Sequence, residues 1–199
     1  MRQVLPRGLL LLAMMVFADL ALAQQGALTV PRDLRQLTDR AAHIVRGNVV
    51  SARMARHPEL DVQMLVVTMR VRETLKGRHQ DTFTFRQYVW DRRDPGKPAA
   101  YLKGDDVLLL MIAPSRYGLS SPAGLGQGSF RIVRAADGRE MAVNGHGNAR
   151  LFEGLQAQAT KDGIALSPAS SQLLQRQPQG PVDARGLMDL IRAFASRSR

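Results

Sequence analysis

The sequence predicts a mainly β protein: a small closed barrel of five to six strands, with a short N-terminal helix and a C-terminal amphipathic helix. Three stretches carry that prediction. Residues 62–77 alternate with period two, placing Leu65, Val67, Met69 and Val71 on one face and Met64, Val66, Thr68, Arg70 and Arg72 on the other. Alternation of this kind, rich in Val and Thr, marks a strand packed on one side. Residues 81–90 alternate too, with Phe83 and Phe85 sharing a face, and the short polar stretch between the two runs makes them an antiparallel hairpin. Asp137-Gly138 stands between two further alternating runs, and tight hairpin turns favour that pair because both positions tolerate positive φ.

Residues 1–23 precede this fold. Arg2 and Arg7 make a basic start, residues 9–18 are apolar, and Ala21-Leu22-Ala23 carries small residues where a signal peptidase reads them. This is the pattern of a secretory signal peptide, with cleavage expected after Ala23 and an exported product, periplasmic or secreted. The apolar run is too short to cross a bilayer, which takes roughly 20 residues, and no later stretch is longer. Export would permit disulfides, but the chain has no cysteine, so packing must stabilise it and thiolate chemistry is excluded.

The barrel domain is expected over residues 24–152. Asp33 is placed to cap a helix carrying Leu34, Leu37 and Ala41 at helical spacing. Residues 43–56 form the first strand, with Gly47 marking a bulge or bend. Residues 105–112 are a continuous apolar run between Gly104 and Pro114, which suits a buried strand. Residues 153–180 lose all periodicity and are expected to be a loose linker. Within residues 181–199, Leu187, Leu190, Ile191 and Phe194 recur at helical spacing behind Asp183, predicting an amphipathic helix that docks on the barrel.

In order, the strings AAHIVRGNVV (41–50), TMRVRETLKG (68–77), GDDVLLL (104–110) and GQGSFRIV (126–133) resemble a family of exported bacterial proteins. That family is similar to the OB-fold barrel of netrin-like proteins and of the tissue inhibitors of metalloproteinases. The resemblance covers residues 34–143 and implies an OB-fold-like barrel. It also implies a binding partner among envelope proteins, such as a secreted metalloprotease that the protein would accompany or inhibit. Its motifs are structural and none is a catalytic signature. The tissue inhibitors place an N-terminal cysteine on the protease zinc. Here the mature chain would begin at Gln24 and has no cysteine, so that mechanism does not carry over.

The four histidines, His43, His57, His79 and His146, have no metal-binding spacing and are expected at the surface, so no metal or cofactor is implied. Ser120, Ser121, Ser170 and Ser171 lack a nucleophile-elbow sequence. Asp105 and Asp106 are expected to make a turn and start a strand. The glycines at 124, 126 and 128 lack the Lys and the following helix of a phosphate loop, which leaves a bend or a close backbone approach. No catalytic residues emerge, and the chain is expected not to be an enzyme.

With Phe83 and Phe85 in the core, the outward face of the central hairpin carries Arg70, Arg72, Arg86, Tyr88 and Trp90, with Arg70 and Arg86 expected to lie near each other across the strands. Basic residues beside aromatics on barrel strands hold single-stranded nucleic acid or sugars. The alternative is a solvated basic face partly neutralised by Glu73 and Asp91. The chain holds 28 Lys and Arg against 17 Asp and Glu, a net charge of +11. That balance favours acidic partners, or reflects no more than an Arg-rich composition. Two functions are therefore expected: a non-catalytic module binding an exported protein, or a binder of anionic polymer.

Overall fold

The computed structural model describes residues 30–89, 101–176 and 179–196. The signal segment, Trp90 and Asp91 lie outside the described residues, and all that follows belongs to the unit Pro31–Arg199. Among the described residues, seven strands form one antiparallel sheet: β1 His43–Arg56, β2 Gln63–Lys76, β3 Thr82–Tyr88, β4 Asp106–Met111, β5 Ser129–Arg134, β6 Glu140–Asn144 and β7 Val182–Asp183, in the order β3-β2-β1-β4-β5-β6-β7. Four α-helices among the described residues accompany it: α1 Leu34–Arg40, α2 Leu155–Lys161, α3 Pro168–Arg176 and α4 Ala184–Ala195. None is long and apolar enough to cross a membrane.

The sheet is mainly β as expected, but it does not close into a barrel. β3 stands at one end and β7 at the other. The physical reason is a competition for the apolar face of β5 and β6. Phe130, Ile132 and Ala142 pack with Ile44, Leu108 and Leu110 beneath the helices, joining Leu37, Leu155, Leu173, Leu190 and Phe194 in one core. That layer holds the β5–β6 hairpin to the helices instead of letting it curl round to β3. Contact across the gap comes from the β4–β5 loop, where the Ser120 N–H donates to the Arg86 carbonyl at 2.8 Å.

A second core fills the other face: Val45, Val49, Leu65, Val67, Met69, Phe83, Phe85, Tyr101, Val107, Leu109 and Met111. β4 is therefore buried on both sides, which explains its unbroken apolar run. β1 belongs to both halves, pairing with β2 along its length and with β4 over its first six residues. Its bend is set at Gly47, where the register with β2 shifts. A Cβ there would lie 2.1 Å from the Arg70 carbonyl oxygen, so only glycine lets the two strands approach this closely.

Asp33 caps α1 by accepting from the Gln36 N–H at 2.8 Å, and Asp183 caps α4 by accepting from the Gly186 N–H at 2.7 Å. The stripe of α4 is buried as expected. The expected linker, in contrast, folds. α2 and α3 lie within it and bury Leu155, Ala159, Leu173 and Leu174. Gln and Ser residues outnumber the few apolar anchors, and Ser170 is itself buried, so composition hid the pattern. β7 was not anticipated either, since two residues carry no readable period. Loop 144–148 is pinned from within: Asn144 Oδ1 accepts from the N–H groups of His146 and Asn148, and Asn148 Oδ1 accepts from the Asn144 N–H.

Candidate functional site

The helices cover only half of the outer sheet face. The other half, on β1, β2 and β3, is open, and strand register arranges its side chains in three rows. Arg53, Val66 and Arg86 form the first, Ser51, Thr68 and Thr84 the second, and Asn48, Arg70 and Thr82 the third. Neighbouring strands lie about 4.8 Å apart and successive rows about 7 Å apart, so the Arg53 and Arg86 backbones flank Val66 at roughly 10 Å from each other. The core parity inferred from Phe83 and Phe85 is present, with Phe85 opposite Val67 and Phe83 opposite Met69. The expected approach of Arg70 to Arg86 is not. Arg70 pairs with Thr82 and Arg86 with Val66, because parity limits the face of each residue but leaves the register open.

Arg53, Arg70 and Arg86 are exposed, and no carboxylate among the described residues pairs with them. Arg72 differs. Its guanidinium reaches Asp106 at 3.0 Å, and Asp106 also takes Arg46 at 2.7 Å, while Arg46 holds Glu140 at 2.9 Å. Arg46 is 6% exposed. Its hydrogen bond to Asp106, against the opposing cost of burial and with help from Glu140, pushes its pKa further above the usual arginine value. This cluster ties β1, β2, β4 and β6 together and removes Arg72 from the candidate site. Glu73, the expected neutraliser, is bonded to Arg192 of α4. Tyr88 sits on the same outer face, opposite Met64.

The first row ends in a cleft of about 380 Å³ whose walls include Arg53, Arg86, His57, Glu59, Val66 and Tyr117. His57 is 4% exposed, not at the surface as expected. Its Nδ1 accepts from the N–H groups of Glu59 at 3.1 Å and Leu60 at 3.2 Å. The proton therefore sits on Nε2, which donates to the Tyr117 carbonyl at 2.9 Å. The ring thereby fastens the β1–β2 turn to the β4–β5 loop and holds Tyr117 over the cleft. The Arg116 guanidinium stacks on the Tyr117 ring at 4.6 Å. Sequence reasoning missed Arg53 because the bulge between Val49 and Ser51 resets parity along β1.

Other candidates resolve into structure. Ser120 Oγ donates to the Ile112 carbonyl at 2.7 Å and Ser170 Oγ to that of Gly186 at 3.2 Å. Asp105 caps a turn by accepting from the Leu102 N–H at 2.9 Å. Gly128 lies where a Cβ would meet the Ala123 carbonyl at 2.4 Å, a close backbone approach as expected. His43 packs against Phe83 at 5.7 Å between ring centres. Among the described residues, no three His, Asp or Glu side chains converge to hold a metal ion.

A second, more apolar cleft of about 330 Å³ lies where the end of β3 meets the β5–β6 hairpin, bordered by Gln87, Tyr101, Leu125, Ser129 and Val143. Burial pushes the Tyr101 hydroxyl's pKa up, against a weaker opposing effect of its bond to Ser129. No protein-family model and no curated protein matches this chain.

Proposed function

We propose that the chain is an exported, non-catalytic binding module that captures an anionic partner on the open face of β1, β2 and β3. The observation that carries this reading is the Arg53–Val66–Arg86 row, in which two guanidiniums that no carboxylate pairs with among the described residues border one cleft. Two cations bordering one cleft favour an anionic ligand between them. Arg70, two rows along, extends the cationic track beyond the cleft. The OB-fold-like part of the reading draws support from the bent first strand shared by β2 and β4, with the sheet left open beside β3. Export rests on the signal pattern of residues 1–23. The other reading, a partner or inhibitor of a secreted metalloprotease, draws on the family resemblance alone, and nothing on this face is specific to it.

Retention on immobilised heparin tests the proposal. The Arg53→Ala, Arg86→Ala double variant is expected to elute at clearly lower salt than the wild type while keeping its melting temperature. Co-elution of the two would place any anion binding elsewhere.

A further inference from the structure

We infer that the anionic partner of the β1–β3 face is an acidic polysaccharide whose uronate carboxylates meet Arg53, Arg86 and Arg70 while its sugar hydroxyls meet the row of Ser51, Thr68 and Thr84. This inference rests on the anion-binding reading above and names the ligand class. The middle row is the discriminating feature. It places three hydroxyl side chains side by side across three strands, with Thr68 Oγ1 and Thr84 Oγ1 3.1 Å apart. A hydroxyl both donates and accepts, so the row matches a ligand that presents hydroxyls of either role between its charges. The flanking arginines supply planar forks that fit a carboxylate in two parallel bonds.

Single-stranded nucleic acid needs something else. On barrel strands its bases stack on open aromatic rings. The hydroxyl row and the Arg70 row carry no ring. Tyr117 already bears the Arg116 guanidinium on its ring, and His57 meets it edge-on at 6.2 Å. Tyr88 stands one row beyond Arg86, opposite Met64, so it offers a ring at the end of the track and none along its length. Bases laid along the track would therefore rest on serine and threonine. An acidic peptide fits less well for a different reason. Extended peptides bind sheets by adding to a free edge, with alternate side chains in pockets. Here the edge is β3, where Ser120 of the β4–β5 loop already donates to the Arg86 carbonyl, while the three rows on the face offer side chains rather than main-chain groups.

Direct titration of the full-length mature protein with polygalacturonate, oligo-dT and polyglutamate, at equal charge and low salt, tests the inference. Polygalacturonate is expected to bind tightest. The Thr68→Val, Thr84→Val double variant keeps every charge and the β-branched shape, and should weaken polygalacturonate about tenfold, the worth of one to two neutral hydrogen bonds. Its binding of polyglutamate should stay as in the wild type. Oligo-dT binding more tightly than polygalacturonate, or an unchanged polygalacturonate affinity in the double variant, would overturn the sugar assignment while leaving the anion-binding face intact. If none of the three polymers binds, or if Arg53→Ala with Arg86→Ala changes none of them, the underlying reading fails and this inference with it.

Discussion

Gly47 and Tyr101 show how single residues set the geometry behind the open face. Gly47 lets the Arg70 carbonyl come within 2.1 Å of where a Cβ would sit. Gly47→Ala should force β1 and β2 apart and cost about 1–3 kcal/mol, as overpacking does, measured by urea unfolding; an unchanged midpoint would show that the bend tolerates a side chain. Burial raises the Tyr101 pKa, so folding favours the protonated ring. That contribution is fully present below the ordinary tyrosine value of about 10 and is lost as pH rises above it, because the unfolded chain ionises first. Melting temperature should therefore fall as pH rises past about 10, and Tyr101→Phe should lack that share of the fall. An equal fall in both proteins would contradict it. At this scale the sequence was partly legible. Gly47 announced the bend, and alternation put Arg70, Arg72 and Arg86 outward. It could not show that Asp106, more than thirty positions away in the chain, claims Arg72, nor that the β1 bulge turns Arg53 to the same face as Arg86.

Among the elements, α4 is the clearest case of sequence pattern becoming structure. Leu187, Leu190, Ile191 and Phe194 recur at helical spacing and all enter the helix-side core. Leu190→Asp should place an unpaired charge there and lower the melting temperature by roughly 10 °C or more. An unaltered melting curve would mean that the helix does not depend on this contact. The helices before it were illegible for the opposite reason. α3 buries only Ser170, Leu173 and Leu174, and apart from Pro168 and Ala169 its remaining positions are polar. Three anchors among Gln, Ser and Arg give too weak a period to read. Gly186 then lets α3 and α4 meet closely, with its missing Cβ 3.1 Å from Leu173 Cδ1. Leu173→Ala is accordingly expected to cost about 2–5 kcal/mol by denaturant unfolding, whereas a loose linker would give almost no change.

For the whole molecule, local pattern predicted a mainly β chain and most of its strands but not how the sheet ends. Closure depends on which layer claims Phe130, Ile132 and Ala142, and the helices claim them. No window of sequence around β5 contains that competition. The same arrangement leaves β1, β2 and β3 uncovered on their outer side, so the candidate site follows from where the helices stop. Export belongs at this scale too: intact mass of protein recovered from the cell envelope should correspond to a chain beginning at Gln24, and a species retaining residues 1–23 would contradict it. The most direct test of the binding proposal is the salt dependence of affinity for an acidic polymer. Wild-type affinity should fall steeply with salt, and Arg53→Ala or Arg86→Ala should each reduce the slope of log K against log salt by about one, as loss of a single charge contact does. Arg72→Ala, whose charge is held by Asp106, should leave that slope unchanged. A wild-type affinity indifferent to salt, or slopes alike in Arg53→Ala, Arg86→Ala and wild type, would contradict an anion-binding face on β1, β2 and β3.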